Sequence, residues 1–268
     1  MNDLIQDLAT AESIAAQEAN MKTYWSAFGR TPNQEVYDRP KLLRFMSGIP
    51  DPNLNGVVYA CLPPDILDET IIGTRAYFET RQLPMLWWVG PGTRPASLGQ
   101  HLKQHGFAFA GEAPMMAFDV SMLPKEQTLP AQLSIAAIDN EAALREWSRI
   151  IAISFGLPDA APDAFFELET SFGIGSTPSR QRLIGYHDNA LVATATLLFA
   201  AGVAGIYTIA VQPEARGQGF GAAITLAALY EARKRGYRVA TLQSTPMGYP
   251  VYQRLGFQDV AVFECYHL

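Results

Sequence analysis

Leu144, Trp147, Ile151 and Phe155 recur at spacings of three and four, the mark of a helix with one apolar face. Asn140 stands where its N-cap belongs, and Gly156-Leu157-Pro158 ends it. Gln132 to Ile138 reads as a short strand before this helix, and Pro162 to Phe172 as a second helix after it. Arg180 to His187 is a strand and Asp188-Asn189 a turn. From Ala190 to Pro213 no charged residue occurs. That length would let a helix cross a membrane. However, Gly202 and Gly205 interrupt it, and Thr194, Thr196, Val203, Ile206, Thr208, Ile209 and Val211 give it strand character. The pattern therefore predicts two buried strands joined by a turn around Ala201-Gly202. A glycine-rich turn leads into a helix that closes on Arg233-Lys234-Arg235 and then Gly236, which suits the negative end of a helix and a left-handed stop. Tyr237 to Ser244 is a strand, Met247 to Leu255 a short helix and Val260 to Tyr266 a last strand, so the order is β-α-α-β-β-β-α-β-α-β.

Ser121 to Ala131, with Pro124, Pro130 and a polar run between them, reads as a linker between two units of similar length. The first unit repeats the later part of the order in faded form: strand Gly56 to Leu62, helix Asp65 to Gln82, strand Met85 to Val89, helix Pro95 to His105, strand Phe107 to Val120. Leu102-Lys103-Gln104-His105-Gly106-Phe107 aligns with Tyr252-Gln253-Arg254-Leu255-Gly256-Phe257, and Pro64-Asp65 with Pro213-Glu214. The region from Leu4 to Trp25 is expected to form a helix covering this first unit.

The 268 residues suffice for one large or two ordinary domains, and 49% hydrophobic with 17% charged residues fits a compact α/β protein. A net charge of −6 argues against nucleic acid or an anionic membrane as the main partner. Two cysteines, Cys61 and Cys265, lie in apolar strand-like runs, so neither a disulfide framework nor a zinc site is expected, and a reducing cytoplasm is the natural setting. The first twenty residues carry Asp3, Asp7, Glu12 and Glu18 where a signal peptide would be basic and then apolar.

The chemistry concentrates at Arg216-Gly217-Gln218-Gly219-Phe220-Gly221, between a strand and a helix. Glycines there let backbone N–H groups approach an anion, the helix adds unpaired N–H groups and the positive end of its dipole, and Arg216 adds charge at the rim. Such a turn asks for a diphosphate. Gly217, Gly219 and Ala222 also satisfy the dinucleotide fingerprint. Its context is missing, because five residues separate strand from glycine and the next strand ends Leu242-Gln243-Ser244-Thr245 without an acidic residue. No Walker lysine follows either. His101 and His105 share a metal-binding spacing but show no third ligand in sequence and read as a polar helix face; Trp87-Trp88 reads as core.

R-x-x-G-x-G after a V-x-P strand end, followed about thirty residues on by Y-x-x-L-G-F, resembles the GNAT superfamily of N-acetyltransferases over Gln132 to Leu268. The resemblance implies two tandem GNAT-like units, each a mixed, mainly antiparallel sheet flanked by helices. It makes residues 132–268 the catalytic domain and 1–122 a degenerate one, in which Leu67, Thr70 and Ile72 replace Arg216, Gly219 and Gly221 and Leu102 replaces Tyr252. It further implies acetyl-CoA as co-substrate without a metal, with Arg216 and Gly217 to Gly221 at the pyrophosphate. Main-chain groups of Ile209, Ala210 and Val211 would lie along the pantetheine and thioester, and Tyr252 would be the proton donor to the leaving thiolate. Thr245 replaces the asparagine common at a pantetheine contact. The usual glutamate is missing from Ile206 to Val211, leaving Glu167, Glu169 or a water chain as general base. The acceptor expected is an amine of a small molecule or peptide; a CoA-binding module without chemistry is the alternative, which would have no need of Tyr252.

Overall fold

A computed structural model describes residues 4–29, 34–158 and 161–268. The N-terminal part contains α1 (Ala11–Ala27), β1 (Glu35–Arg39), β2 (Leu42–Met46), β3 (Asn55–Ala60), α2 (Pro64–Thr80), β4 (Leu86–Val89), α3 (Leu98–Gln104) and β5 (Ala108–Asp119). Then follow β6 (Leu133–Ala137), α4 (Glu141–Phe155), α5 (Ala161–Thr170), β7 (Arg180–His187), β8 (Ala190–Ala200) and β9 (Val203–Val211). The chain closes with α6 (Phe220–Lys234), β10 (Val239–Gln243), α7 (Tyr249–Leu255) and β11 (Gln258–His267).

The local signals explain these bounds. Asn140 caps α4 by accepting from the Ala143 amide, and Gly156 ends it in the left-handed region. Asp188-Asn189 and Ala201-Gly202 both turn with positive φ, as tight hairpins of the right twist require. The β1–β2 hairpin is an addition that the sequence pattern did not show.

Two compact units result. The C-terminal unit comprises Met1–Asn20 and Met115–Val260; the N-terminal unit comprises Met21–Pro114 and Ala261–Leu268. In the C-terminal unit the strands run β5-β10-β9-β8-β7-β6, antiparallel except for the parallel pair β9–β10. In the N-terminal unit the order is β1-β2-β3-β4-β11, again antiparallel apart from one parallel pair, β3–β4. Each unit is thus the mixed, mainly antiparallel sheet with helices expected of it.

In the C-terminal unit α6 buries Phe220, Ala223, Ile224, Ala227 and Ala228 against Ala204 and Ile206 of β9, Ala240 and Leu242 of β10, and Tyr252 of α7. Burial of such side chains contributes about 25 cal/mol per Å² of apolar surface. The opposite face of the same strands offers Val203, Val239 and Ala117, which meet Ile5, Leu8 and Ala16.

The expectation that the first helix covers the N-terminal unit holds for its second half, where Lys22 lies over the Tyr59 ring and Trp25 packs on Phe45 and Trp88; its first half belongs instead to the C-terminal unit. Its Ser13, Gln17 and Asn20 are fully buried and lie on one face, at spacings of four and three. Asn20 Nδ2 donates to the carbonyls of Leu198, Ala200 and Val203 at 3.1, 3.0 and 3.1 Å, and its Oδ1 accepts from Tyr207 at 2.7 Å. Thr241 donates to Gln17 Oε1 at 2.7 Å. A Cβ on Gly205 would overlap Asn20 Oδ1, so glycine is required for that approach. The segment read as a linker is also held down: Tyr230 donates to the carbonyls of Pro124 and Glu126, and Arg233 to those of Leu123, Pro124 and Lys125.

Candidate functional site

β9 carries the first unusual geometry. Its register against β8 shifts between Thr194↔Ala210 and Thr196↔Tyr207, a β-bulge at Thr208. Thr208 has φ +46°, a costly conformation for a β-branched residue, about 1–3 kcal/mol. Two threonines of β8 hold it there: Thr194 Oγ1 donates to the Thr208 carbonyl at 2.9 Å, and Thr196 Oγ1 lies 2.7 Å from Thr208 Oγ1. The bulge changes the alternation, so that Ile209 and Val211 turn to the α6 side, where they pack on the core with Tyr252 and Phe220. The sequence reading missed this bulge; the Thr-x-Thr of β8 opposite Thr208 was its one available sign.

The second unusual feature is a gap. The parallel ladder of β9 with β10 comprises Ala204↔Ala240 and Gly205↔Thr241 and then stops. Ile206 to Val211 runs on with β8 as its partner, so the edge toward β10 is left for another ligand. Ile209, Ala210 and Val211 stand at the far end of this gap.

The turn follows. Gly217 and Gly219 have φ +79° and +84°, and Gly219 is the N-cap of α6. A Cβ on either would meet nothing within 4 Å, while one on Gly221 would touch Val211 Cγ2 at 3.4 Å. No side chain caps α6 and no acidic residue stands in its first turn, so its leading N–H groups and dipole face open space. A diphosphate fits this cradle: it has the room and the donors, and no carboxylate opposes it. Phe220 is buried and packs on His187 with ring centroids 4.9 Å apart, leaving only its backbone N–H for the turn. Gln218 is exposed. Arg216 donates to the Val211 carbonyl at 3.3 Å and the Ser154 carbonyl at 3.2 Å, tying the turn to β9 and α4.

Tyr252 belongs to the same apolar cluster, 8% exposed, its ring 5.7 Å from that of Phe257. The ring lies over Gly248, where a Cβ would stand 2.7 Å from Cε2. Burial raises the phenol well above its ordinary value, so it stays protonated at neutral pH. Thr245 accepts from the Gly248 amide at 3.2 Å and is occupied in shaping the start of α7.

Of the two candidate bases, Glu169 is fully buried and bound by Arg180 Nη2 at 3.2 Å and Arg182 Nε at 2.7 Å. Arg182 also donates to the carbonyls of Gly173 and Ile174, so this triad anchors α5 and the loop after it to β7. Glu167 is exposed. In the N-terminal unit, His105 and His101 both approach Asp68 Oδ1, at 2.9 and 3.6 Å, a contact invisible in the sequence. Among the described residues no group of three or more His, Cys, Asp or Glu is arranged to hold a metal ion. Trp87 and Trp88 are buried, as expected of core. No helix among the described residues is long and apolar enough to cross a membrane.

Residues 142–257 match the model of the acetyltransferase (GNAT) family. That segment is a GNAT acetyltransferase domain, and it contains the gap, the turn and Tyr252. Among solved structures the chain resembles a GCN5-related N-acetyltransferase from Kribbella flavida, at 18% identity over 94% of this chain and 95% of that one, with a TM-score of 0.70. One from Sphaerobacter thermophilus shares 14% identity over 97% and 94%, with a TM-score of 0.64. A tandem GNAT protein from the clavulanic acid biosynthesis pathway shares 14% over 97% of each chain, with a TM-score of 0.61. At such identities the likeness establishes the fold, a tandem GNAT arrangement. No curated protein gives a significant match.

Proposed function

We propose that the protein is an N-acetyltransferase that moves an acetyl group from acetyl-CoA to an amine. The residues assigned to catalysis fall in the expected 132–268, but the unit that carries them is Met1–Asn20 with Met115–Val260, and the degenerate, non-catalytic partner is Met21–Pro114 with Ala261–Leu268 rather than 1–122. One observation carries this reading: an uncapped, glycine-lined helix start stands at the end of a strand whose ladder with its neighbour has stopped. Backbone N–H groups of Gly217 to Gly221, with Arg216 at the rim, hold the diphosphate. The edge of β9 beyond its ladder with β10, at Ile209, Ala210 and Val211, lines the pantetheine and the thioester. Acetyl-CoA, when bound, supplies an activated acyl group and a thiolate leaving group. Tyr252, buried and protonated, gives its proton to that sulfur. The Glu169–arginine triad makes a water-relayed base more suitable than Glu169 itself. The two free thiols suit a reducing cytoplasm.

Thermal-shift titration with acetyl-CoA, CoA and NAD tests the cofactor: stabilisation by the first two and not by NAD is expected. Thiol release across a panel of amines tests the chemistry. Binding without thiol release from any amine would favour a CoA-binding module instead.

A further inference from the structure

Five polar side chains share the face of the C-terminal unit that looks away from α6: Gln17 and Asn20 of α1, Tyr207 of β9, and Thr241 and Gln243 of β10. Four of them satisfy one another or the backbone. Tyr207 donates to Asn20, Asn20 to three carbonyls, and Thr241 to Gln17 at 2.7 Å with the Met116 carbonyl 3.2 Å away. Gln243 is the exception. Its Nε2 is shielded from solvent and has no hydrogen-bond partner among the described residues. A buried donor without a partner is costly, and native proteins keep few of them.

Its place in the sheet says what it is for. Strand alternation puts Ala240 and Leu242 on the α6 face, in the cluster with Tyr252, and Val239 and Thr241 on the α1 face. Gln243 follows Thr241 on that second face. It is also one pleat beyond the last paired residue of the β9–β10 ladder, Thr241↔Gly205, and so stands at the gap. The glycine turn leads into α6 and Tyr252 packs on the α6 face. Gln243 belongs to the other face.

We propose that Gln243 positions the acceptor by donating from Nε2 to an oxygen carried close to the reacting amine. The acceptor class is then an amine with a neighbouring carbonyl or hydroxyl oxygen, such as an amino-acid amide or an amino alcohol, rather than a plain alkylamine. This deepens the acetyltransferase reading and rests on it.

The test uses the full chain at saturating acetyl-CoA, with glycinamide and ethanolamine as oxygen-bearing acceptors and propylamine and ethylamine as controls. Wild type should prefer the oxygen-bearing amines about tenfold or more in kcat/KM, since a site built to bond an oxygen rejects the analogue lacking it. Gln243→Met keeps the length of the side chain and removes the donor. It should abolish that preference through the acceptor KM, leave the acetyl-CoA Kd within about twofold, and leave unliganded thermal stability equal or higher, because an unsatisfied donor has gone. Gln243→Glu, which replaces the NH2 donor with a second acceptor oxygen, should also lose it. Retention of the preference in a folded Gln243→Met, or wild type that binds acetyl-CoA but shows no preference for the oxygen-bearing amines, overturns the proposal. Wild type that binds no acetyl-CoA refutes the acetyltransferase reading itself, a distinguishable result.

Discussion

At the junction of β9 and α6 the chain places Gln212–Gly219 between strand and helix; at the corresponding junction of β3 and α2 it places only Cys61–Pro63. The consequences differ in kind. The positions that align with Arg216, Gly219 and Gly221 fall inside the body of α2: Leu67 is buried in the core, Thr70 bonds back to the Ile66 carbonyl, and Ile72 is 54% exposed. Asp65 stands in the first turn of α2, where it opposes an anion, whereas the first turn of α6 has no acid. The gaps differ as well. Past Val57↔Trp87 the β3–β4 ladder also stops, but the chain after β4 folds back into the space. The Arg94 amide donates to the Ala60 carbonyl at 3.0 Å, and the Leu62 amide to the Arg94 carbonyl at 2.8 Å. At the position of Tyr252 stands Leu102, wholly buried. The same crossing serves in one unit as a cradle and in the other as a sealed joint. The difference lies in the loop lengths and the return of one strand end, which act together with the lost glycines.

The largest effect is expected at the open junction. Gly219→Val with Gly221→Val forces a β-branched residue into the left-handed region at 219 and crowds Val211 from 221. All stabilisation by acetyl-CoA should vanish while circular dichroism shows an intact fold; undiminished binding in the folded variant would sink the cofactor assignment. Next is Tyr252→Phe, which keeps the packing ring and removes the proton. Single-turnover thiol release should slow by roughly a hundredfold with CoA affinity unchanged, and an unchanged rate would assign the proton to water.

A smaller effect concerns the core of the sealed unit. Burial pushes the Cys265 thiol from 9.0 up to about 12, and burial with the Glu35 hydrogen bond pushes the Tyr77 phenol from 10.0 up to about 12. Both are acids whose folded values exceed their unfolded ones. They therefore favour the fold fully below pH 9 and lose that contribution as pH rises toward 12. Melting temperature should fall over that window, and less steeply in Cys265→Ala; an equal slope would show that the thiol takes no part. The smallest effect is at the sealed junction itself. Ile72→Ala should change CoA affinity by less than about twofold, and calorimetry should count one site per chain. Two equivalent sites would erase the contrast between the units.

Much of this contrast was legible in residue types. The glycines and the Tyr252-Leu255-Gly256-Phe257 run fix the open junction, and Leu67, Thr70, Ile72 and Leu102 mark the other as degenerate. Apolar periodicity was enough for the helices and strands of residues 132–268, because Asn140, Gly156, Asp188-Asn189 and Gly236 punctuate them. What sequence could not show was tertiary. Glu169 reads as a helical carboxylate until two arginines on β7 are seen to hold it, and Gln243 reads as a strand end until its neighbours prove satisfied. The Thr208 bulge depends on threonines across a ladder. The partner of the first half of α1 was not legible because Ser13, Gln17 and Asn20 form a polar stripe. Such a stripe ordinarily faces water, but here backbone carbonyls take its place.

That stripe sets an order of events during synthesis. Asn20 leaves the ribosome well before its partners: the carbonyls it bonds lie 178 to 183 residues further on, and the Thr241 hydroxyl that meets Gln17 lies 224 residues on from that glutamine. Until those strands emerge the helix has three buried-type polar side chains and nothing to bury them against. Contacts of such separation carry a heavy loop-closure cost and form late. The face that carries Gln243 and the proposed acceptor site is therefore completed only after segments 224 residues apart have met.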